Sequence, residues 1–85
     1  MAIQIKGHIM SFKNKNLSVV AYCSGWTLWQ YRTEDMFEEI NGNYFPVEIK
    51  RLMAVGDIII INSKNETGIR AIKSLSPSME IGTLN

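Results

Sequence analysis

The chain has 85 residues, 46% of them hydrophobic, and a formal net charge of +1 at pH 7. That length fits one domain over residues 1–85, and the apolar content excludes disorder along its body. The weak charge argues against recruitment by a nucleic-acid or anionic-membrane field, the single cysteine Cys23 excludes an intrachain disulfide, and no apolar run reaches a membrane-span length.

Residues 1–10 mix Gln4, Lys6 and His8 into their apolar residues, a pattern unlike a signal peptide. Ile3, Ile5, Gly7 and Ile9 alternate with those polar residues, which predicts an edge or half-buried strand. Lys13-Asn14-Lys15-Asn16 is a polar break suited to a turn or loop. Leu17 to Tyr22 is β-branched and apolar, a second strand. Ser24-Gly25 then punctuates the chain before the aromatic run Trp26-Thr27-Leu28-Trp29-Gln30-Tyr31. In an extended backbone Trp26, Leu28, Gln30 and Arg32 point one way, and Thr27, Trp29, Tyr31 and Thr33 the other. A tryptophan on each face predicts either cover on both sides or one face used as an interface.

Thr33 is suited to cap a helix, with Glu34 and Asp35 placed where the helix dipole favours negative charge. Met36 stands where a capping box would need Glu, so the reciprocal box is not expected. Met36, Phe37 and Ile40 form an apolar stripe at helical spacing, and Gly42 suits the left-handed position that ends such a helix. Pro46 biases Phe45 toward extended geometry and opens a second short helix, with Ile49, Leu52 and Met53 inward and Glu48, Lys50 and Arg51 outward. Gly56-Asp57 stops it and sets the turn before Ile58 to Ile61, a strand expected to be buried on both faces. Residues 62–68 read as a hairpin loop, 69–75 as the return strand, and 79–83 as a final short strand after the Ser76-Pro77-Ser78 break.

The residues that could carry chemistry have plainer roles. Glu34, Asp35, Glu38 and Glu39 form an acidic cluster, but a solvated helix start explains them, and no mixed ligand set stands nearby. His8 and Cys23 are too few for a zinc site. As a nucleophile pair they lack any orienting or activating context, so Cys23 reads as a small buried hydrophobe. Gly25, Gly42, Gly56 and Gly68 are isolated at element boundaries, unlike a phosphate cradle. A small β-barrel with Trp26, Trp29 and Tyr31 beside Lys6, Lys13, Lys15 and Arg32 could stack the bases of a single strand, but the weak net charge opposes it.

The motif order resembles that of small bacteriophage and prophage virion proteins of the head-fibre or capsid-decoration type. The likeness lies in Trp29-Gln30-Tyr31-Arg32-Thr33-Glu34-Asp35, in Asn43-Tyr44-Phe45, and in Met53-Ala54-Val55-Gly56-Asp57-Ile58-Ile59-Ile60. Thr67-Gly68-Ile69 and the residues 74–77 extend it, so that it covers roughly residues 26–83. The chain departs from the pattern at Asn43, where Gly is usual, and at Met53, where Leu is usual. The resemblance implies a virion role without a defined activity, in a particle or in the cytoplasm of a bacterial host.

The expectation is a mainly β, β-rich α+β domain: a small antiparallel sheet or barrel with one or two short helices between its strands. It should be non-enzymatic, need no metal or cofactor, and assemble as a homo-oligomer, a trimer first, alone or with other virion proteins. Trp26, Trp29, Tyr31, Tyr44 and Phe45 are the expected packing and interface anchors. Thr33 and Asp35 should hold the helix start, Gly42 its end, and Gly56 with Asp57 the turn before the central strand.

Overall fold

Alternating β-branched and aromatic residues lay down five strands in the computed structural model, which describes residues 12–84. They are β1 (Leu17–Cys23), β2 (Trp26–Arg32), β3 (Ile58–Asn62), β4 (Thr67–Ser74) and β5 (Glu80–Gly82). They form one sheet in the order β1-β2-β3-β4-β5. The strand expected over Ile3–Ile9 lies outside the described residues.

The mainly β class holds, and one pairing differs from the antiparallel expectation. β1–β2, β3–β4 and β4–β5 are antiparallel, but β2 and β3 run parallel, with Leu28 opposite Ile58 and Tyr31 opposite Ile61. The sheet is therefore mixed, and its described strands form an open row and not a closed barrel. A parallel pair cannot be joined by a tight turn, so the chain from 33 to 57 must cross back over the sheet. That crossover supplies the second layer. Phe37, Ile40, Tyr44, Phe45, Ile49 and Met53 descend from it onto Trp29, Tyr31, Ile59, Ile61 and Ile72 of the sheet, and together they make the core.

One-sided cover corrects the reading of the isoleucine run. Ile59 and Ile61 are fully buried, whereas Ile58 and Ile60 are only half-buried on the opposite face. Val20 marks an irregularity in β1, where the pairing with β2 shifts register between Val19 and Ala21.

The crossover is not the expected α-helix. It folds as two short 3-10 turns, Phe37–Glu39 and Gly42–Tyr44, followed by the single-turn α1 (Val47–Lys50). The Thr33 hydroxyl accepts from the Asp35 N–H at 3.0 Å, two residues on, and so closes a local turn instead of capping a helix. The Asp35 carboxyl is buried under Tyr44 and does not face a helix dipole. Glu39 reaches back to accept from the Met36 N–H at 2.8 Å, giving the first short turn half of a box. Asn41 opens the second by accepting from the Asn43 N–H at 2.9 Å.

Pro46 precedes α1, and Ile49 and Met53 are buried as expected. Leu52 is 66% exposed instead, because the helix stops at Lys50 and the Leu52 N–H turns back to the Ile49 carbonyl. The closing turn is as expected. The Asp57 N–H donates to the Ala54 carbonyl at 3.0 Å around Gly56, whose φ of +99° favours glycine.

Two other glycines are set by close approach. At Gly68 the Phe37 ring lies against the backbone, with the Arg70 guanidinium 4.4 Å from the ring centre. Gly42 does not adopt the left-handed conformation expected for it. A Cβ there would stand 1.8 Å from the Met79 carbonyl oxygen, so this glycine lets the crossover touch the backbone leading into β5. Gly42→Ala should cost about 3 kcal/mol in urea unfolding, because a backbone carbonyl yields less readily than a side chain.

Candidate functional site

Four of the five aromatic anchors expected from sequence lie in the core. Trp29, Tyr31, Tyr44 and Phe45 are each buried, and Trp26 is half-buried on the opposite sheet face. Tyr31, Tyr44, Phe45 and Phe12 form one cluster, with Phe12 stacked on Tyr31 at 5.2 Å and the Tyr31–Tyr44 pair edge-to-face at 5.7 Å. The chain thus shelters Trp29 by its own fold. Of the two outcomes expected for this strand, cover on both sides or one face left as an interface, the core settles only the face of Trp29, and Trp26 stands on the other.

Polar groups thread this cluster in a defined order. The Lys13 N–H donates to the Tyr31 hydroxyl at 2.9 Å. Tyr31 and Tyr44 share a hydroxyl bond at 2.8 Å, and the Tyr44 hydroxyl donates to Asp35 Oδ2. Since an ionised carboxylate only accepts, each hydroxyl in turn passes its hydrogen toward Asp35. Burial first, and then the bond to Asp35, push the Tyr44 phenol well above its ordinary value of 10.0. Tyr44 therefore stays protonated at every physiological pH and serves as a fixed donor.

The second buried carboxylate is Asp57, 2% exposed. Its Oδ1 accepts from the Thr27 N–H at 2.9 Å. Its Oδ2 accepts from Trp29 Nε1 and from the Ala54 N–H, each at 3.0 Å. Three donors from two segments explain how a buried carboxylate is tolerated, and they tie the end of the crossover to β2. Sequence reading placed Asp57 in its turn but did not foresee that it satisfies the Trp29 indole across the fold. No local signal carries a contact of that separation.

Among the described residues no group of three or more His, Cys, Asp or Glu is placed to hold a metal ion. The acidic cluster is dispersed: Asp35 points inward while Glu34 and Glu38 are exposed. Cys23 is half-buried at the end of β1, and His8 lies outside the described residues. No helix among the described residues is long and apolar enough to cross a membrane.

The opposite face of the sheet carries the unclaimed apolar surface. By register, Ala21, Leu28, Ile58 and Ala71 form one row across four strands, and Gln30, Ile60 and Ile69 form the next. Trp26 and Cys23 pair beside them. None of these residues belongs to the hydrophobic core, and Ile69 is 45% exposed. On the other face, Tyr22, opposite Thr27, was missed by sequence reading; at 83% exposed it is the most exposed of the large apolar side chains.

Comparison of the chain with protein-family models, curated proteins and solved structures finds no match.

Two measurements check the networks. Asp57→Ala strands three donors and should lower the unfolding free energy by about 3 kcal/mol or more, with Asp57→Asn, which keeps a carbonyl acceptor, losing less. Tyr44 holds its proton more tightly folded than unfolded. Its contribution is therefore complete below the unfolded value of 10.0 and is lost as pH rises above it. Urea titrations from about pH 9 to 12 should show the wild type losing up to about 1.4 kcal/mol per pH unit more than Tyr44→Phe.

Proposed function

We propose that this chain is a non-enzymatic structural protein that works by assembling with copies of itself through the outer face of its sheet. The observation that supports the reading is the pair of apolar rows on β2, β3 and β4, where Trp26, Leu28, Ile58, Ile60 and Ile69 stand outside the core. A contiguous apolar patch on a small domain is the ordinary mark of an interaction surface. A near-zero net charge lets identical copies approach without strong repulsion. A trimer is the first stoichiometry to test. The motif likeness to small bacteriophage and prophage virion proteins supplies the setting, a decoration or head-fibre-like part of a particle, alongside other virion proteins.

The alternative is a small β module for single-stranded nucleic acid or peptide. It has less support, because Trp29 and Tyr31, two of its three stacking rings, are inside the core.

Native mass spectrometry over a concentration series tests the assembly. The wild type should appear as a multiple of its 9.7 kDa protomer. Ile69→Lys should shift it to the single protomer with an unchanged circular-dichroism spectrum, since that side chain is half-exposed and outside the core. A wild type that remains a single protomer up to its solubility limit overturns the reading.

A further inference from the structure

The parallel strands β2 and β3 end together, and between their carboxyl ends lies a polar cleft of about 250 Å³. Arg32, Thr33 and Glu34 line it from the β2 side, and Asn62, Lys64 and Thr67 from the β3–β4 hairpin. In open α/β sheets ligands bind in the crevice outside the carboxyl ends of the strands, and this cleft stands at that end of the one parallel pair among the described strands.

The cleft walls are fixed. The Thr33 N–H donates to the Asn62 carbonyl at 2.9 Å, and the Lys64 N–H to the Asp35 carbonyl at 3.0 Å, so the two loops continue the parallel ladder past the strands. Asn65 reinforces the join, its Oδ1 accepting from the Phe37 N–H at 2.8 Å. Thr67 Oγ1 donates to Asn62 Oδ1 at 3.0 Å, which leaves the Asn62 amide nitrogen as a donor at the wall.

The charged groups at the rim are not used by the fold. Among the described residues neither the Arg32 guanidinium nor the Lys64 ammonium has an ion-pair or hydrogen-bond partner, and both side chains are exposed. Two cations without partners, both lining one fixed polar cleft, match an oxyanion, with Arg32 able to bind it through two parallel N–H donors. Glu34 on the same rim opposes a bare anion and favours one whose neighbouring hydroxyls can donate to its carboxylate. We propose that this cleft binds a small phosphomonoester of a polyol or sugar: Arg32 and Lys64 hold the phosphate, and Glu34 and Asn62 read the adjoining hydroxyls.

Amide chemical-shift titrations of the intact protein test this, with glycerol 3-phosphate, inorganic phosphate and glycerol as separate probes. Glycerol 3-phosphate should move the amides of 32–34 and 62–67 with about millimolar affinity, inorganic phosphate should bind several-fold more weakly, and glycerol not measurably. Arg32→Gln should weaken glycerol 3-phosphate about tenfold. Lys50→Gln, a cation away from the cleft, should leave binding unchanged. Glu34→Gln should strengthen inorganic phosphate while weakening the preference for the phosphomonoester. Absence of shifts at the cleft, equal affinity for inorganic phosphate and glycerol 3-phosphate, or equal losses in Arg32→Gln and Lys50→Gln would each overturn the proposal. The outcome does not depend on whether the chain assembles.

Discussion

The parallel pairing of β2 and β3 is the constraint from which the rest of the molecule follows. A parallel neighbour obliges the intervening chain to return to the starting end of the sheet, and only one face can host that return. The buried apolar residues of the crossover, from Phe37 to Met53, are therefore gathered on that face. Ile59 and Ile61 are closed off there, while Ile58 and Ile60, on the same strand, are not. The sidedness of this small domain is a consequence of chain direction, and no difference in residue type within the isoleucine run is needed to produce it.

A crossover with so little regular helix leaves many backbone and side-chain polar groups near the core, and these need partners. Two carboxylates answer that need at opposite ends of the segment. Asp35, just past β2, receives the Tyr44 hydroxyl and fixes the aromatic cluster above Tyr31. Asp57, just before β3, gathers Thr27, Trp29 and Ala54. The crossover is thus pinned where it leaves the sheet and where it rejoins it. Charge-assisted bonds suit this task because each is stronger than a neutral one and directional enough to define the position of a short loop. Tyr44, held protonated first by burial, remains the donor of the first pin throughout the ordinary pH range.

The strands were legible in the sequence because β-branched and aromatic alternation is a local signal. Each of β1 to β5 falls on or overlaps a stretch expected to be a strand, marked by β-branched or aromatic content in β1 to β3, although the first two residues of β4, Thr67 and Gly68, fall where a loop was expected. The turn at Gly56-Asp57 was legible for the same reason, since a glycine with positive φ serves a need confined to four residues. Pairing direction was not, because nothing within β2 or β3 records whether the partner arrives parallel. The crossover's form was misjudged where a tertiary contact outweighed local propensity. Thr33-Glu34-Asp35 has the composition of a helix start, yet Tyr44 draws Asp35 inward and the backbone closes a shorter turn. Gly42 was recognised as special for a reason that did not apply. Its role is close approach to Met79, a partner distant in sequence. The aromatic anchors divide in the same manner: alternation separated Trp26 from Trp29 correctly, but could not tell which of the two faces the crossover would cover.

Register also divides the outer face of the sheet into two parts. Followed along β2, the outer face runs from Trp26 through Leu28 and Gln30 to Arg32, with Ile58, Ile60 and Asn62 beside it on β3. The apolar rows occupy the end where β2 begins, and the row of Arg32, Asn62 and Thr67 closes the other end with polar and cationic groups. Interfaces are usually built this way, with an apolar centre and a polar, hydrated rim.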